Sequence, residues 1–164
     1  MTFDADRLNT RLAMLAQDTP ASRYVIAFSG GLDSTALLHA LSQTLAESGA
    51  RLLAVHVNHR LNPQADNWAA QCRAVAESFG VDIRVEKVTV DADSDGGPEA
   101  AARRARYAVF RDIVERGDWL VTAHHEMDQA ETLLLNLLRG SGPSGLAGIV
   151  DKQPFGAGLL VGFL

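Results

Sequence analysis

Ser29-Gly30-Gly31-Leu32-Asp33-Ser34 packs two hydroxyls, two adjacent glycines and a carboxylate into one short stretch. That set can hold an anion. Glycines let the backbone approach a ligand, and hydroxyls and unpartnered amides donate to phosphate oxygens. No Lys follows the glycines, so this is not a P-loop, and their adjacency departs from the dinucleotide fingerprint. Asp33 repels a bare phosphate but suits one bridged by Mg²⁺, which takes carboxylate and phosphate oxygens together. The plainer reading is a tight turn with Asp33 as a helix N-cap. The residue types alone leave both open.

A second concentration is His124-His125 followed by Asp128 and Glu131. Asp128 and Glu131 are three apart, so they share a helix face or form a capping box. With His124 they resemble a divalent-metal cluster, although the spacing is not a zinc signature. His56, Asn58 and His59 form a third group at the end of an apolar run. His56 and Asn58 lie where an adenine or ribose could rest, or the polar tail is simply an exposed strand end. Arg103, Arg104 and Arg106, beside Tyr107, are either a solvated helix face or a hand for a phosphate of ATP or RNA.

These groups need elements that bring them to one edge. Tyr24 to Phe28 reads as a buried strand, and Leu37, Leu38, Leu41 and Leu45 mark the helix after the glycine loop. Ser48-Gly49 closes that helix. Arg51 to His59 and Val81 to Val90 are the next strands. The helix between them carries Trp68, Cys72, Val75 and Phe79 on one apolar row, and Cys72 reads as core packing. A Gly-rich acidic loop, Asp91 to Pro98, leads into a helix through Arg116. Trp119 to Ala123 is the fourth strand and delivers His124. A helix with Leu133, Leu134, Leu137 and Leu138 ends at Arg139-Gly140, and Gly158 to Val161 is a fifth strand. Leu8, Leu12 and Leu15 make a short helix in front. The expectation is an α/β fold, a doubly wound parallel sheet of about five strands. Right-handed crossovers then collect the polar loops at the carboxyl edge.

The 164 residues are 47% apolar, which fits one globular domain. The formal charge of −5 argues against a surface that is all nucleic-acid footprint, though a local basic patch is compatible with it. One cysteine allows no internal disulfide and no paired-Cys zinc site. No run reaches the roughly 18 apolar residues of a membrane helix. Neither a membrane partner nor a location other than the cytoplasm is expected.

Ser29 to Ser34 matches the SGGxDS loop of the PP-loop ATP pyrophosphatases. Three further stretches sharpen this: His56-Val57-Asn58-His59 with Trp68 and Cys72; Glu99 to Arg103 with Arg106-Tyr107; and Ala123-His124-His125 with Asp128 to Thr132, Leu138 to Gly142 and Gly145-Leu146. Together they resemble the N-terminal catalytic domain of the tRNA(Ile)-lysidine synthase family, from about Tyr24 to about Ile149. The resemblance implies ATP and Mg²⁺ as cofactors, and as partners L-lysine and a tRNA(Ile) with a wobble cytidine. ATP would adenylate the cytidine 2-oxygen and release pyrophosphate, and the lysine amine would then displace AMP. By the same resemblance Ser29 to Ser34, His56, Asn58 and Arg103 hold the nucleotide. Asp33 and Asp128 hold the metal. Asp33, His124, Asp128, Glu131 and Arg139 act in catalysis, with Glu131 holding the lysine ammonium and Arg139 neutralising phosphate charge.

The chain departs from the family pattern in two places. Met127 stands where the first of two adjacent Asp is usual, and the Arg-Pro pair after the last strand is absent. Family members also continue well beyond this length with domains that grip tRNA, so the chain is expected to be a fragment lacking them. The alternatives are a nucleotide-binding module without turnover, or a tRNA 2-thiolation enzyme of the same superfamily.

Overall fold

A computed structural model describes residues 5–90, 97–123 and 152–163. Four helices are described: α1 (Ala5–Ala16), α2 (Leu32–Ser48), α3 (Ala65–Ser78) and α4 (Gly97–Ile113). The strands are β1 (Arg23–Ala27), β2 (Arg51–Asn58), β3 (Asp82–Lys87), β4 (Asp118–Ala123), β5 (Lys152–Phe155) and β6 (Gly158–Phe163). They form one sheet in the order β3-β2-β1-β4-β6-β5. Every neighbouring pair is parallel except β5–β6, which is antiparallel.

The strand residues alternate between two cores, as a period of two requires. Tyr24, Ile26 and Phe28 join Trp119 and Val121 in the core under α1, α2 and α3. Val25, Val55, Val57, Leu120 and Leu160 pack with Phe110 and Ile113 of α4 on the other face. Chain direction explains the split. The connections β1-α2-β2 and β2-α3-β3 step one way across the sheet, while β3-α4-β4 steps back. Right-handed crossovers therefore place α4 on the opposite face. The order reverses between β1 and β4, and the carboxyl ends of those strands make the crevice where open α/β sheets bind ligands.

The sheet has six strands where about five are expected. The extra strand is β5, a short edge strand containing Pro154, which an edge tolerates because its missing N–H faces no partner. Helix α2 ends as expected, on Gly49 with φ 69°. The apolar row on α3 is out of phase at one end. Ala69, Cys72 and Ala76 are buried and Val75 and Phe79 pack beside them, but Trp68 is 51% exposed. One residue is about 100° of helix, enough to turn Trp68 from the sheet to the carboxyl edge. No described helix is long and apolar enough to cross a membrane.

At the opposite edge Arg23 and Asp118 lie across the β1–β4 register. Asp118 accepts from Arg23 Nε (3.1 Å), Arg23 Nη2 and the Glu115 N–H (2.9 Å), and Arg23 Nη2 also donates to the Ile113 carbonyl (3.1 Å). Asp118→Ala strands a largely buried guanidinium, so it should cost about 3 kcal/mol. Urea denaturation would check this, and a loss under about 1 kcal/mol would mean that water replaces the carboxylate.

Candidate functional site

A cavity of about 620 Å³ opens at the carboxyl edge, and residues from β1, β2, β4, the glycine loop and α4 line it. Of the residues expected to hold a nucleotide, Ser29, Gly31, Leu32, Asp33, Ser34, His56, Asn58 and Arg103 line this cavity. Gly30 is the hinge of the same loop. His124, Asp128, Glu131 and Arg139 lie outside the described residues.

The loop is tied by a closed ring of hydrogen bonds. Gly31 N–H donates to Ser29 Oγ (3.3 Å), Ser29 and Ser34 Oγ are 2.9 Å apart, and Ser34 Oγ donates to the Gly31 carbonyl (3.1 Å). Each hydroxyl has one proton, so Ser29 is the donor to Ser34. Ser34 is buried and works as the inner clamp, while Ser29 is exposed and can turn its proton to a ligand. Gly31 is the N-cap of α2 and no side chain caps it. Asp33 is therefore not the cap. It sits in the first turn of α2, exposed and at the cavity wall. The first turn of α2 lies at the cavity wall through Leu32, Asp33 and Ser34, and a helix start carries unpartnered N–H groups and a partial positive charge.

Gly30 holds φ 82°, and a Cβ there would stand 2.6 Å from Cys72 Sγ. Cys72 is buried beneath the loop, and its burial raises the thiol pKa, which fits packing and not nucleophilic work. Beside it, His56 Nδ1 lies 2.9 Å from the Phe28 carbonyl and 3.5 Å from Cys72 Sγ. A carbonyl only accepts, so Nδ1 carries the proton. His56 thus props the strand that leads into the glycine loop.

Asn58 has a structural task in addition to lining the cavity. Its Nδ2 donates to Asp66 Oδ1 (2.8 Å), and its Oδ1 accepts from Arg60 N–H (2.9 Å). Lys87 Nζ, 3.0 Å from the same Asp66 oxygen, holds that carboxyl below its usual range. The side chain of Asn58 therefore ties the end of β2 to the first turn of α3.

Among the described lining residues three arginines, Arg60, Arg103 and Arg106, stand with one carboxylate, Asp33, in a chain of net charge −5. Arg103 and Arg106 lie over the Tyr107 ring at 5.4 and 5.9 Å. That stacking holds the guanidiniums while leaving their edges to bond. Arg103 is exposed and Arg106 half-buried, so a solvated face and a place on the cavity wall hold together for these side chains. Among the described residues no three His, Cys, Asp or Glu side chains converge as a metal-binding group. Asp33 at the cavity wall is one carboxylate, and one carboxylate with phosphate and water oxygens is a donor set compatible with Mg²⁺.

Among the lining residues not assigned to the site from sequence are His59, Trp68 and Thr122. Their one signal is polarity or bulk at the end of an apolar strand or the start of a helix. His59 Nδ1 is buried without a partner among the described residues, and burial, then Arg106 and His56, lower its pKa. The unfolded value is near 6.5. Between that and the lower folded value the unfolded chain binds more protons. Stability should therefore fall as pH drops from about 6.5 toward 5. His59→Gln should flatten this part of a Tm-against-pH profile, and an unchanged slope would assign it to another group.

A family model described as a PP-loop domain matches residues 5–161. Curated relatives named tRNA(Ile)-lysidine synthase are 52% identical in Alkalilimnicola ehrlichii over 95% of this chain and 50% identical in Pseudomonas aeruginosa over 91%. The one from Xanthomonas campestris is 48% identical over 90% of this chain. The chain spans about a third of the length of these relatives, 34% in each case. Among solved structures, the U34-tRNA thiolase NcsA from Methanococcus maripaludis with its 4Fe-4S cluster superposes with a TM-score of 0.72. It is 17% identical and covers 96% of this chain and 58% of its own. That likeness concerns the fold. With a family match over nearly its whole length and the SGGxDS loop seated at the switch point of the sheet, the chain belongs to the PP-loop domain family.

Proposed function

We propose that this chain is the ATP-using domain for lysidine formation on tRNA(Ile). The observation that carries the reading is the 43–52% identity to relatives that share that one name. The glycine loop at the cavity supports it. In this reading Ser29, the glycine-loop backbone and the start of α2 bind the pyrophosphate end of ATP, and Arg103 and Arg106 neutralise phosphate charge. Asp33 would hold Mg²⁺, which supplies charge neutralisation to the pyrophosphate when bound.

The 2-oxygen of the wobble cytidine attacks the α-phosphorus, and the bond to the bridging oxygen breaks to release pyrophosphate. The oxygen on C2, a poor leaving group, then departs as AMP when the lysine amine forms its bond to C2. Family resemblance assigns His124 and Asp128 to orienting nucleotide or metal, Glu131 to the lysine ammonium and Arg139 to phosphate charge. A cytoplasmic location accompanies the tRNA substrate. The thiolation alternative has little support, because cluster chemistry needs several thiolates and Cys72 is one buried thiol.

The test is pyrophosphate release by the chain with ATP, Mg²⁺, L-lysine and a tRNA(Ile) bearing a wobble cytidine, each left out in turn. Release that requires the tRNA and Mg²⁺ is the expected result. ATP binding by calorimetry without any release would favour the module reading, in which this stretch binds nucleotide and does not turn it over alone.

A further inference from the structure

Thr122 is the polar residue of β4 with no task in the fold. It is 6% exposed, its Oγ1 is buried, and that oxygen has no hydrogen-bond partner among the described residues. The alternation of β4 settles which way it faces. Trp119 and Val121 point to the core under α1–α3 and Leu120 to the core under α4, so Thr122 shares the α4 face. There it lines the cavity with Ala27, Val55 and Val57 from the sheet and Tyr107 and Phe110 from α4. The result is a largely apolar slot between strand ends and aromatic rings, with Thr122 as the polar residue the sheet gives to it.

A buried hydroxyl without a partner destabilises the fold, and Val would fill the same space without that cost. Ligand slots have this character: apolar walls for a flat group, and a few placed polar atoms to orient it. We infer that the Thr122 hydroxyl is a ligand contact, bonding the edge of a nucleoside, at its base or its ribose, seated in this slot. The inference rests on the nucleotide-binding reading above. Two nucleosides qualify, that of ATP and the target cytidine of the RNA, and they share this hydrogen-bonding chemistry.

Calorimetry separates them. Thr122→Val and Thr122→Ser are compared with the unaltered 164-residue chain for binding of Mg²⁺-ATP and of an anticodon stem-loop carrying the wobble cytidine. Thr122→Val should raise the Kd of one ligand about tenfold. Thr122→Ser, which keeps the hydroxyl, should stay within about threefold. Weakened ATP binding alone identifies the ATP nucleoside, and weakened RNA binding alone identifies the cytidine. The ligand-free Tm of Thr122→Val should rise by about 2–4 °C, which a hydroxyl with a structural role would not allow. Unchanged Kd values for both ligands, or a lower Tm, would overturn the inference while the nucleotide reading stands. An unaltered chain that binds neither ligand would overturn both.

Discussion

Gly30→Ala should remove most ATP binding, and Cys72→Ala should restore part of it. Two costs meet at Gly30. Its φ of 82° is left-handed, which costs an L-residue about 1 kcal/mol. The new Cβ would also stand 2.6 Å from Cys72 Sγ, inside any normal contact, and overpacking of this kind costs about 1–3 kcal/mol. Cys72 is buried and His56 adjoins it, so the sulfur has little room to retreat and the loop must move. A displaced loop no longer presents its amides, and ATP affinity should fall about 30-fold or more. Cys72→Ala vacates the space but leaves φ untouched. The double variant should relieve the clash and keep the strain, with a coupling of about 1–2 kcal/mol in a cycle read by calorimetry and denaturation. ATP affinity kept within about threefold in Gly30→Ala would show that the loop does not grip the phosphates.

That contact between loop and helix was not legible in the sequence, although each half was. Ser29 to Ser34 is a local motif between a strand and a helix, and local order suffices to read it. Cys72 lies a whole strand away, and only the crossover that lays α3 beside α2 puts its sulfur under Gly30. The same division holds across the fold. β1, β2 and β4 are near-continuous apolar runs, and their order follows from parallel pairing with right-handed crossovers. β5 is Lys152-Gln153-Pro154-Phe155, with no period and a proline, and becomes a strand because β6 offers it an antiparallel edge. Trp68 has correct helical spacing, yet spacing gives the period of a row and not which residue at its end leaves the core. Thr122 and His59 are single polar residues whose missing partners exist only as a property of the packed state.

Asn58 and the arginines show the reverse case, where a residue type is right and its task is only half readable. A polar strand end predicts a ligand-facing amide, but the amide is engaged with Asp66 and the Arg60 N–H. An arginine stripe predicts a solvated face or a phosphate hand. The Tyr107 ring under Arg103 and Arg106 favours the second, because stacked guanidiniums are already ordered at the cavity.

Asp33→Asn should abolish the benefit of Mg²⁺ while improving ATP binding without it. In the proposed reading the carboxylate lies beside the phosphates, at the start of α2 on the cavity wall. With no cation present it repels the phosphates, by about 1 kcal/mol at 4 Å in water. The neutral amide removes that repulsion, so affinity for ATP in a chelator should rise a few-fold. With Mg²⁺ the sign reverses, since a carboxylate is a far better ligand for a hard cation than an amide. Mg²⁺ should tighten ATP binding strongly in the unaltered chain and hardly at all in Asp33→Asn. Pyrophosphate release dependent on tRNA should fall about a thousandfold, as expected when charge stabilisation of the leaving group is lost. The fold should barely respond, because an exposed acid in a first helical turn contributes about 0.3–1 kcal/mol. Calorimetry with and without Mg²⁺ reads both signs. Equal losses of affinity under both conditions would make Asp33 a loop-shaping residue and move the metal to carboxylates elsewhere in the chain, Asp128 among them.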